Sequence, residues 1–243
     1  MSDWLFDLGN TRFKAAPWDG GAPGEAQAWP HGEDLHRAPV PRGRRAWVAS
    51  VAGPAMTAAV LERLHAAFDE VHLARTQAEC AGVRVAYPNP ERFGVDRFLA
   101  LLAAHRDGGD VLLAGVGTAL TIDLLDAGGR HHGGRIAPSP TLMREMLHAR
   151  AAQLPASGGA YAEFADDTAD ALASGCDGAA VALVLRSLEQ ARLRLGREPA
   201  LLLHGGGAGA LAPLLPQARL RPALVIEGLA IWARAQLDAA ASS

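Results

Sequence analysis

The sequence predicts an α/β fold built from two similar halves. Short apolar segments of strand character alternate with helical segments along the 243 residues. The stretches "FDLGNT" (Phe6 to Thr11) and "AGVGTA" (Ala114 to Ala119) both have the order strand, glycine turn, strand. A repeat of about half the chain predicts two α/β domains that enclose a cleft. We place these domains at residues 1–109 and 110–243.

The first half begins with a hairpin between Leu5 and Pro17, followed by a weaker strand near Ala26 to Pro30. Apolar runs predict further strands at Ala46 to Val51 and Val71 to Ala74. A helix is predicted from Pro54 to Phe68, because apolar residues recur there at every fourth position. The segment "AGVRVAYPNPERF" is expected to be a loop interrupted by prolines, and a second helix is expected to begin at Gly94.

The second half begins with another hairpin within Val111 to Ser139. Helical patterns then predict helices near Thr141 to Arg150, from about Thr168 to Leu195, and from Ala223 to Ala239. A strand at Ala200 to Leu203 precedes the third of them and ends in "HGGGAGAL". The adjacent His131 and His132 lie in "GGRHHGG", and because no metal-ligand spacing accompanies them we expect a solvated hairpin tip.

Composition and charge exclude several classes of protein. The chain has 23 Lys and Arg against 26 Asp and Glu, so its net charge of −3 gives no general attraction to nucleic acid or to an anionic membrane. Only two cysteines are present, without a CxxC or Cys/His pattern, which fits a reducing cytoplasm. No signal-peptide pattern or apolar run of roughly 18 to 20 residues is evident. We therefore expect a soluble cytoplasmic protein that binds neither nucleic acid nor membrane.

The first glycine turn suggests a phosphate site. Gly9 has no Cβ and lets a polyanion approach backbone N–H groups, while Asn10 and Thr11 add side-chain donors. Asp7 would repel a phosphate directly, so a hard cation, most plausibly Mg²⁺, would have to lie between them. The alternative is a simple hairpin turn in which Asp7 and Asn10 hydrogen-bond the backbone.

Two further glycine turns follow strands in the second half. "GVGTALTID" offers the hydroxyls of Thr118 and Thr121, and Gly205 to Gly207 follow the strand near residue 201. Three such turns are what a nucleotide held between two domains would require, although each could be an ordinary loop. In "FGVDRF", Asp96 and Arg97 lie in the first helical turn. Asp96 could accept the proton of an attacking hydroxyl and Arg97 could bind an anionic acceptor, or Asp96 could be a helix-start aspartate only.

These residues resemble the type III pantothenate kinases of the acetate and sugar kinase, Hsc70 and actin superfamily. Four motifs match in order: "DLGNT", "YPNPERFGVDR", "GTALTID" followed by "GGRIAP", and "DTADALASG". The resemblance implies two RNase H-like (actin-like ATPase) domains related by internal duplication, with the active-site cleft between them. It also implies transfer of the ATP γ-phosphate to the primary hydroxyl of pantothenate, the first step of coenzyme A biosynthesis, by a homodimer.

The resemblance implies roles for individual residues. Asp96 is the expected proton acceptor, and Asp7 the expected Mg²⁺ ligand. The expected ATP and phosphate contacts are Asp7, Leu8, Gly9, Asn10, Thr11, Arg12, Phe13, Lys14 and Thr118. The expected pantothenate contacts are Tyr87, Gly94, Val95, Asp96, Arg97 and Thr168.

The chain departs from the family pattern at several positions, including "HGGGA" from His204 where the family usually has "TGGDA". Gly115 replaces an aspartate associated with a monovalent cation, K⁺ or NH₄⁺, so the usual ligand for that ion is absent. The other departures are Ser139, Ala151 and Gly207. They leave two alternatives open: an accessory or regulatory homologue that binds a nucleotide or pantothenate without turnover, and a kinase for another small hydroxylated acceptor.

Overall fold

The computed structural model describes residues 2–30 and 40–242. Its strands are β1 (Asp3–Leu8), β2 (Arg12–Trp18), β3 (Gln27–Pro30), β4 (Gly43–Ser50), β5 (Phe68–Leu73), β6 (Glu79–Cys80), β7 (Val83–Arg84), β8 (Val111–Val116), β9 (Ala119–Leu125), β10 (His131–Pro138), β11 (Ala200–His204) and β12 (Arg219–Leu220). Its α-helices are α1 (Pro54–His65), α2 (Val95–Asp107), α3 (Pro140–Arg150), α4 (Thr168–Leu195), α5 (Ala208–Leu211) and α6 (Leu224–Ala241). Short 3-10 turns cover Pro90–Arg92 and Ala212–Leu214.

The two large sheets have the same topology. The first has the order β3-β2-β1-β4-β5 and the second the order β10-β9-β8-β11-β12. Counted along the chain, the first strand of each sheet (β1 or β8) pairs antiparallel with the second (β2 or β9). It pairs parallel with the fourth (β4 or β11). The repeated order of strands and directions agrees with the predicted duplication of an α/β unit.

The chain divides into two compact units. The first comprises the described residues up to Gly108, then Ala127–His131, and the residues from Ala223 onward. The second comprises Gly109–Asp126 and His132–Pro222. The C-terminal helix α6 thus packs with the first unit, whereas the sequence-based division at residue 109 placed it in the second half. The cleft expected between the halves concerns their relative placement and stays a prediction.

Each unit has its own apolar core. In the first, aromatic side chains of β1 and β2 pack against α1 and β5, with Phe6 and Phe13 stacked at 5.7 Å between ring centroids. In the second, one face of β8, β9 and β11 packs against α4 and α5. Because side chains alternate along a strand, Gly115, Thr121 and His204 lie on the opposite face of that sheet.

Helix α4 is long and apolar enough, by length and composition, to cross a membrane. Its most apolar 18-residue window has a mean hydropathy of 1.4. Charged residues such as Asp177 and Arg186 interrupt this helix, so the sequence has no uninterrupted apolar run there. Its buried residues Ala180, Val184, Leu188 and Ala191 belong to the core of the second unit, and core helices of soluble proteins can have the same length and apolar composition.

Candidate functional site

Asp7 lies at the carboxyl end of β1, directly opposite Lys14 on β2. The Lys14 Nζ is 3.6 Å from Oδ2 of Asp7, and Asp7 is buried with 8% of its surface exposed. Burial raises the pKa of this carboxyl to about 6, the nearby charge of Asp96 also raises it, and Lys14 opposes the shift. The first unit therefore holds a partly desolvated carboxylate close to a second one.

The turn after β1 exposes donors and buries its anchors. The backbone N–H of Gly9 donates to the carbonyl oxygen of Arg12 at 3.0 Å, which closes the turn. Asn10, Thr11 and Arg12 are exposed, whereas Leu8 and Phe13 are buried in the core. Of the predicted contacts in this turn, the side chains of Leu8 and Phe13 hold it in place, and the exposed ones are available to a ligand.

Asp96 lies in the first turn of α2, where the helix dipole favours a negative charge. Its Oδ1 accepts the N–H of Arg97 at 2.8 Å. Gly94, the residue before the helix, leaves room for this carboxylate, because a Cβ there would lie 2.8 Å from Asp96 Oδ1. Val95 is buried and anchors the start of the helix.

The guanidinium of Arg97 is buried against aromatic rings. Its Cζ lies 4.5 Å from the ring centroid of Phe93 and 6.0 Å from that of Tyr87, and its Nη1 lies 3.5 Å from the Tyr87 hydroxyl. Only 6% of Arg97 is exposed. A guanidinium held in this way has little freedom to reorient, so it suits recognition of a planar anion such as a carboxylate.

His131 belongs to this aromatic cluster, and the expectation of a solvated hairpin tip is wrong. It is 1% exposed, its Nδ1 accepts the N–H of Ala86 at 3.3 Å, and its ring lies 4.9 Å from that of Phe93. Sequence reasoning missed both His131 and Phe93 as parts of the site. The signal in the sequence was the proline-rich loop that carries Tyr87, because Pro88 and Pro90 have no N–H to donate and such a loop needs support from side chains elsewhere.

His132 also departs from that expectation. In the second unit its Nε2 lies 2.7 Å from Oδ2 of Asp126, and Arg194 Nε donates to its Nδ1 at 3.0 Å. It borders a groove of about 520 Å³ on the α4 side of the sheet. None of the predicted site residues lines this groove.

The second unit holds the other glycine turns. Thr118 is exposed between β8 and β9, where the N–H of Gly117 donates to the carbonyl oxygen of Ala119 at 2.9 Å. The turn after β11 packs on the end of β8, because the N–H of Gly207 donates to the Val116 carbonyl oxygen at 2.9 Å. A Cβ at Gly207 would lie 2.8 Å from Cγ1 of Val116, which explains a small residue there.

Three further positions lie at helix ends of the second unit. Thr168 is the exposed first residue of α4, directly after Asp167, whose carboxylate accepts the N–H groups of Ala169 and Asp170. The hydrogen bond from the N–H of Asp170 lowers the pKa of Asp167 most, and the one from Ala169 lowers it further. Ser139 caps α3 by accepting the N–H of Leu142 at 3.2 Å, and Ala151 ends that helix. Ser139 and Ala151, two of the departures from the family pattern, thus lie at the two ends of helix α3.

The structure brings part of the predicted set together. Asp7, Lys14, Asp96, Arg97 and Tyr87 are linked by the contacts and charges given above, all within the first unit. Thr118 and Thr168 belong to the second unit. Within the residues that the structure describes, no group of three or more His, Cys, Asp or Glu side chains could hold a metal ion. A metal at Asp7 would therefore take most of its ligands from a substrate and from water.

Sequence comparison identifies the family. The profile of a family described as type III pantothenate kinase matches residues 4–190. A type III pantothenate kinase of Stenotrophomonas maltophilia (strain R551-3) is 65% identical over 237 residues, covering 96% of this chain and 98% of that protein. One from Xanthomonas campestris pv. campestris (strain B100) is 62% identical over 237 residues, with the same coverage.

Comparison of structures supports the fold. A candidate Baf family transcriptional activator from Campylobacter jejuni superposes with a TM-score of 0.63 at 18% identity, covering 93% of this chain and 94% of that one. The Lmo2764 protein of Listeria monocytogenes, a candidate N-acetylmannosamine kinase, gives a TM-score of 0.53 at 12% identity, covering 98% and 100%. At these identities the likeness shows the fold alone, and it agrees with the predicted α/β fold class.

Proposed function

The chain belongs to the type III pantothenate kinases, and we propose that it transfers the γ-phosphate of ATP to the primary hydroxyl of pantothenate with Asp96 as the proton acceptor. The hydroxyl oxygen forms the new bond to phosphorus as its proton passes to the Asp96 carboxylate. The bond between the γ-phosphorus and the bridging oxygen breaks, and ADP leaves. The observation that carries this proposal is the Asp96 carboxylate at the start of α2. It is next to the buried Arg97 and close enough to Asp7 for its charge to raise the pKa of Asp7.

The acceptor would be held by the aromatic cluster of the first unit. Arg97, backed by Phe93 and next to the Tyr87 hydroxyl, suits the carboxylate of pantothenate. Phosphoryl transfer needs little covalent help, so placing the hydroxyl beside Asp96 is the main task of these residues. Thr168 would add a hydroxyl from the second unit.

The nucleotide would be held by glycine turns and by Mg²⁺. The exposed Asn10, Thr11 and Arg12, with Lys14 beside them, supply donors for the phosphates, and Thr118 supplies a hydroxyl in the second unit. Asp7 would hold Mg²⁺, which when bound neutralises charge on the transferred phosphate. A buried carboxylate whose pKa is raised to about 6 fits this role, because a cation would stabilise its ionised form.

Asp96→Asn tests the role of Asp96. We expect ATP and pantothenate still to bind and turnover to fall by about a hundredfold or more, because the amide cannot accept the proton. The measurement is pantothenate-dependent ADP release, with the binding of each substrate followed separately. Turnover near the wild-type rate would remove Asp96 from this role.

The same assay separates the alternatives. ADP release that depends on pantothenate supports the kinase, and binding without release supports an accessory protein. Release only with another alcohol supports a different acceptor. The 65% identity over nearly the whole chain favours the pantothenate kinase.

We further propose that K⁺ stimulates this enzyme less than relatives with an aspartate at the position of Gly115. The glycine offers no side-chain ligand to a cation. Initial rates in matched Na⁺ and K⁺ buffers should differ by less than about twofold. Such a ratio corresponds to less free energy than a single hydrogen bond contributes. A steep rise in K⁺ buffer would contradict this proposal.

A cytoplasmic homodimer completes the proposal. The second unit exposes large apolar side chains that a second copy would cover, namely Ile136, Met146, Leu147 and Leu185. Sedimentation of the 25.3 kDa chain as a monomer at micromolar concentration would count against the dimer.

A further inference from the structure

His204 lies with its imidazole directly over Gly115. The two residues are paired neighbours on the parallel strands β11 and β8, and His204 is 8% exposed. A Cβ placed on Gly115 would lie 2.8 Å from Nε2 and 2.9 Å from Cε1 of the ring. These distances are too short for carbon against a ring, so the imidazole occupies the space that any side chain at position 115 would need. A side chain at position 115 would therefore require the imidazole of His204 and the hydroxyl of Thr121 to move.

The equivalent positions of the first unit hold the opposite arrangement. Asp7, on the first strand of that sheet, is paired with Ala49 on the parallel strand β4. Gly115 and His204 occupy the corresponding first and fourth strands of the second sheet. The ionisable side chain thus stands on the first strand in one unit and on the fourth strand in the other. In each unit the strand partner of the ionisable residue is small, Ala49 in the first and Gly115 in the second.

The surroundings of His204 suit an anion. It is followed immediately by the turn Gly205 to Gly207, in which Gly205 has a φ of +91° and packs against the backbone of Val116. Thr121 lies opposite Gly115 on β9, and its hydroxyl oxygen would be 2.7 Å from a Cβ at Gly115. An imidazole N–H and a threonine hydroxyl are donors that a phosphate accepts, whereas in the glycine turn the N–H of Gly207 already donates to the Val116 carbonyl oxygen.

We propose that His204 is a phosphate-binding residue of this enzyme, and that its imidazole donates a hydrogen bond to the phosphate chain of the nucleoside triphosphate. Residue 115 is glycine because the imidazole takes its space. Where the first unit offers a carboxylate for a metal cation, the second offers a donor for the phosphate itself. This inference rests on the proposed function, since it assumes that the chain binds ATP.

Removal of the imidazole should weaken binding of the phosphates only. We expect His204→Ala to lower the affinity for a non-hydrolysable ATP analogue by about ten- to a hundredfold, the range for a hydrogen bond to a charged group. Its affinities for adenosine and pantothenate should stay within about twofold of the wild type, well below that range. Titration calorimetry measures all three. His65→Ala, an exposed histidine at the end of α1, is the matched control and should change none of them.

Gly115→Ala provides a second test if His204→Ala folds poorly. Its methyl group should displace the imidazole and reproduce the selective loss for the ATP analogue. In the His204→Ala background the same change should add little, because the ring is already gone and the Thr121 hydroxyl can rotate away.

Several outcomes would overturn the assignment. Equal losses for the ATP analogue, adenosine and pantothenate would mean that His204 only supports the fold, and an unchanged affinity for the ATP analogue would mean that it does not touch the phosphates. Independent, additive effects of the two substitutions would separate His204 from Gly115. A wild-type protein that binds ATP but releases no ADP with pantothenate would refute the proposed function. The affinity of His204→Ala for the ATP analogue would still test the role of His204. A wild-type protein that does not bind ATP would refute both.

Discussion

Asp7 is buried at a cost to the folded protein. Its carboxylate has one close cation, Lys14 at 3.6 Å, and feels the negative charge of Asp96. Burial and that charge together favour the protonated form, which is why the pKa rises to about 6. A residue that served the fold alone would be better as a neutral side chain, so the arrangement is typical of a functional site.

The raised pKa of Asp7 predicts how the free energy of unfolding changes with pH. The ordinary pKa of an aspartate is 3.8, so between pH 3.8 and about 6 the folded protein binds a proton that the unfolded chain has released. Ionised Asp7 therefore destabilises the wild type as the pH rises through this window. Relative to wild type, Asp7→Asn should gain up to about 3 kcal/mol in free energy of unfolding by pH 7, and little at pH 4. Urea unfolding in Mg²⁺-free buffer at both pH values measures this difference. A gain that is the same at pH 4 and pH 7 would contradict it.

His131 and His204 illustrate the limits of motif reading at single positions. The motifs pointed to Asp7 and Asp96 because each follows a local signal, a glycine turn or a helix start. His131 is brought to Phe93 by a segment from the second half of the sequence that enters the first unit. His204 reaches Gly115 through pairing of strands far apart in the chain. Neither contact leaves a pattern in the local sequence.

The start of α2 shows how a helix terminus positions the carboxylate of Asp96, the proposed proton acceptor. Gly94 precedes the helix, with φ of −53° and ψ of 132°, a conformation open to other residues. Its special property is space, since a Cβ would lie 2.8 Å from the Asp96 carboxylate.

Gly94→Ala should therefore displace the Asp96 side chain without straining the backbone. We expect turnover to fall by about tenfold or more, a loss of about 1.4 kcal/mol in transition-state stabilisation, with ATP affinity retained. Steady-state kinetics and ATP titration measure the two effects. Gly53→Ala is the matched control, because Gly53 precedes α1 with φ of −58° and ψ of 155° and its Cβ would meet no atom within 4 Å. Equal kinetic effects of both substitutions would rule out the explanation.

Long periodic elements were predictable and short ones were not. The predicted helix from Thr168 to Leu195 agrees with α4, and the predicted start of helix α1 at Pro54 agrees with the structure. The proline-rich segment expected to be a loop contains β7, and both β7 and β12 have only two residues. Two residues cannot show a periodicity. Strand β12 is defined by its pairing with the longer strand β11, and β7 by its pairing with β6, which also has only two residues.

The two units are tied together in sequence, since the chain enters the first unit three times. It leaves after Gly108, returns for Ala127–His131, and returns again at Ala223. The last return supplies α6, which packs on α2, the helix that carries Asp96 and Arg97. The end of the chain therefore completes the unit that its beginning starts, and a division of the sequence into two consecutive halves cannot show this.

The contact between α6 and α2 depends on Gly228. A Cβ there would overlap the backbone carbonyl of Leu99, so the two helices can approach this closely only at a glycine. Gly228→Ala must push α6 away from α2, and we expect a loss of about 1 to 3 kcal/mol in free energy of unfolding, together with reduced turnover because α2 carries Asp96. Gly175→Ala on α4 is the control: its Cβ would meet no atom within 4 Å, so the helix should gain up to about 1 kcal/mol. Urea unfolding and ADP release measure the two effects. If Gly228→Ala were as stable and active as Gly175→Ala, α6 would not hold α2, the helix that carries the proposed proton acceptor.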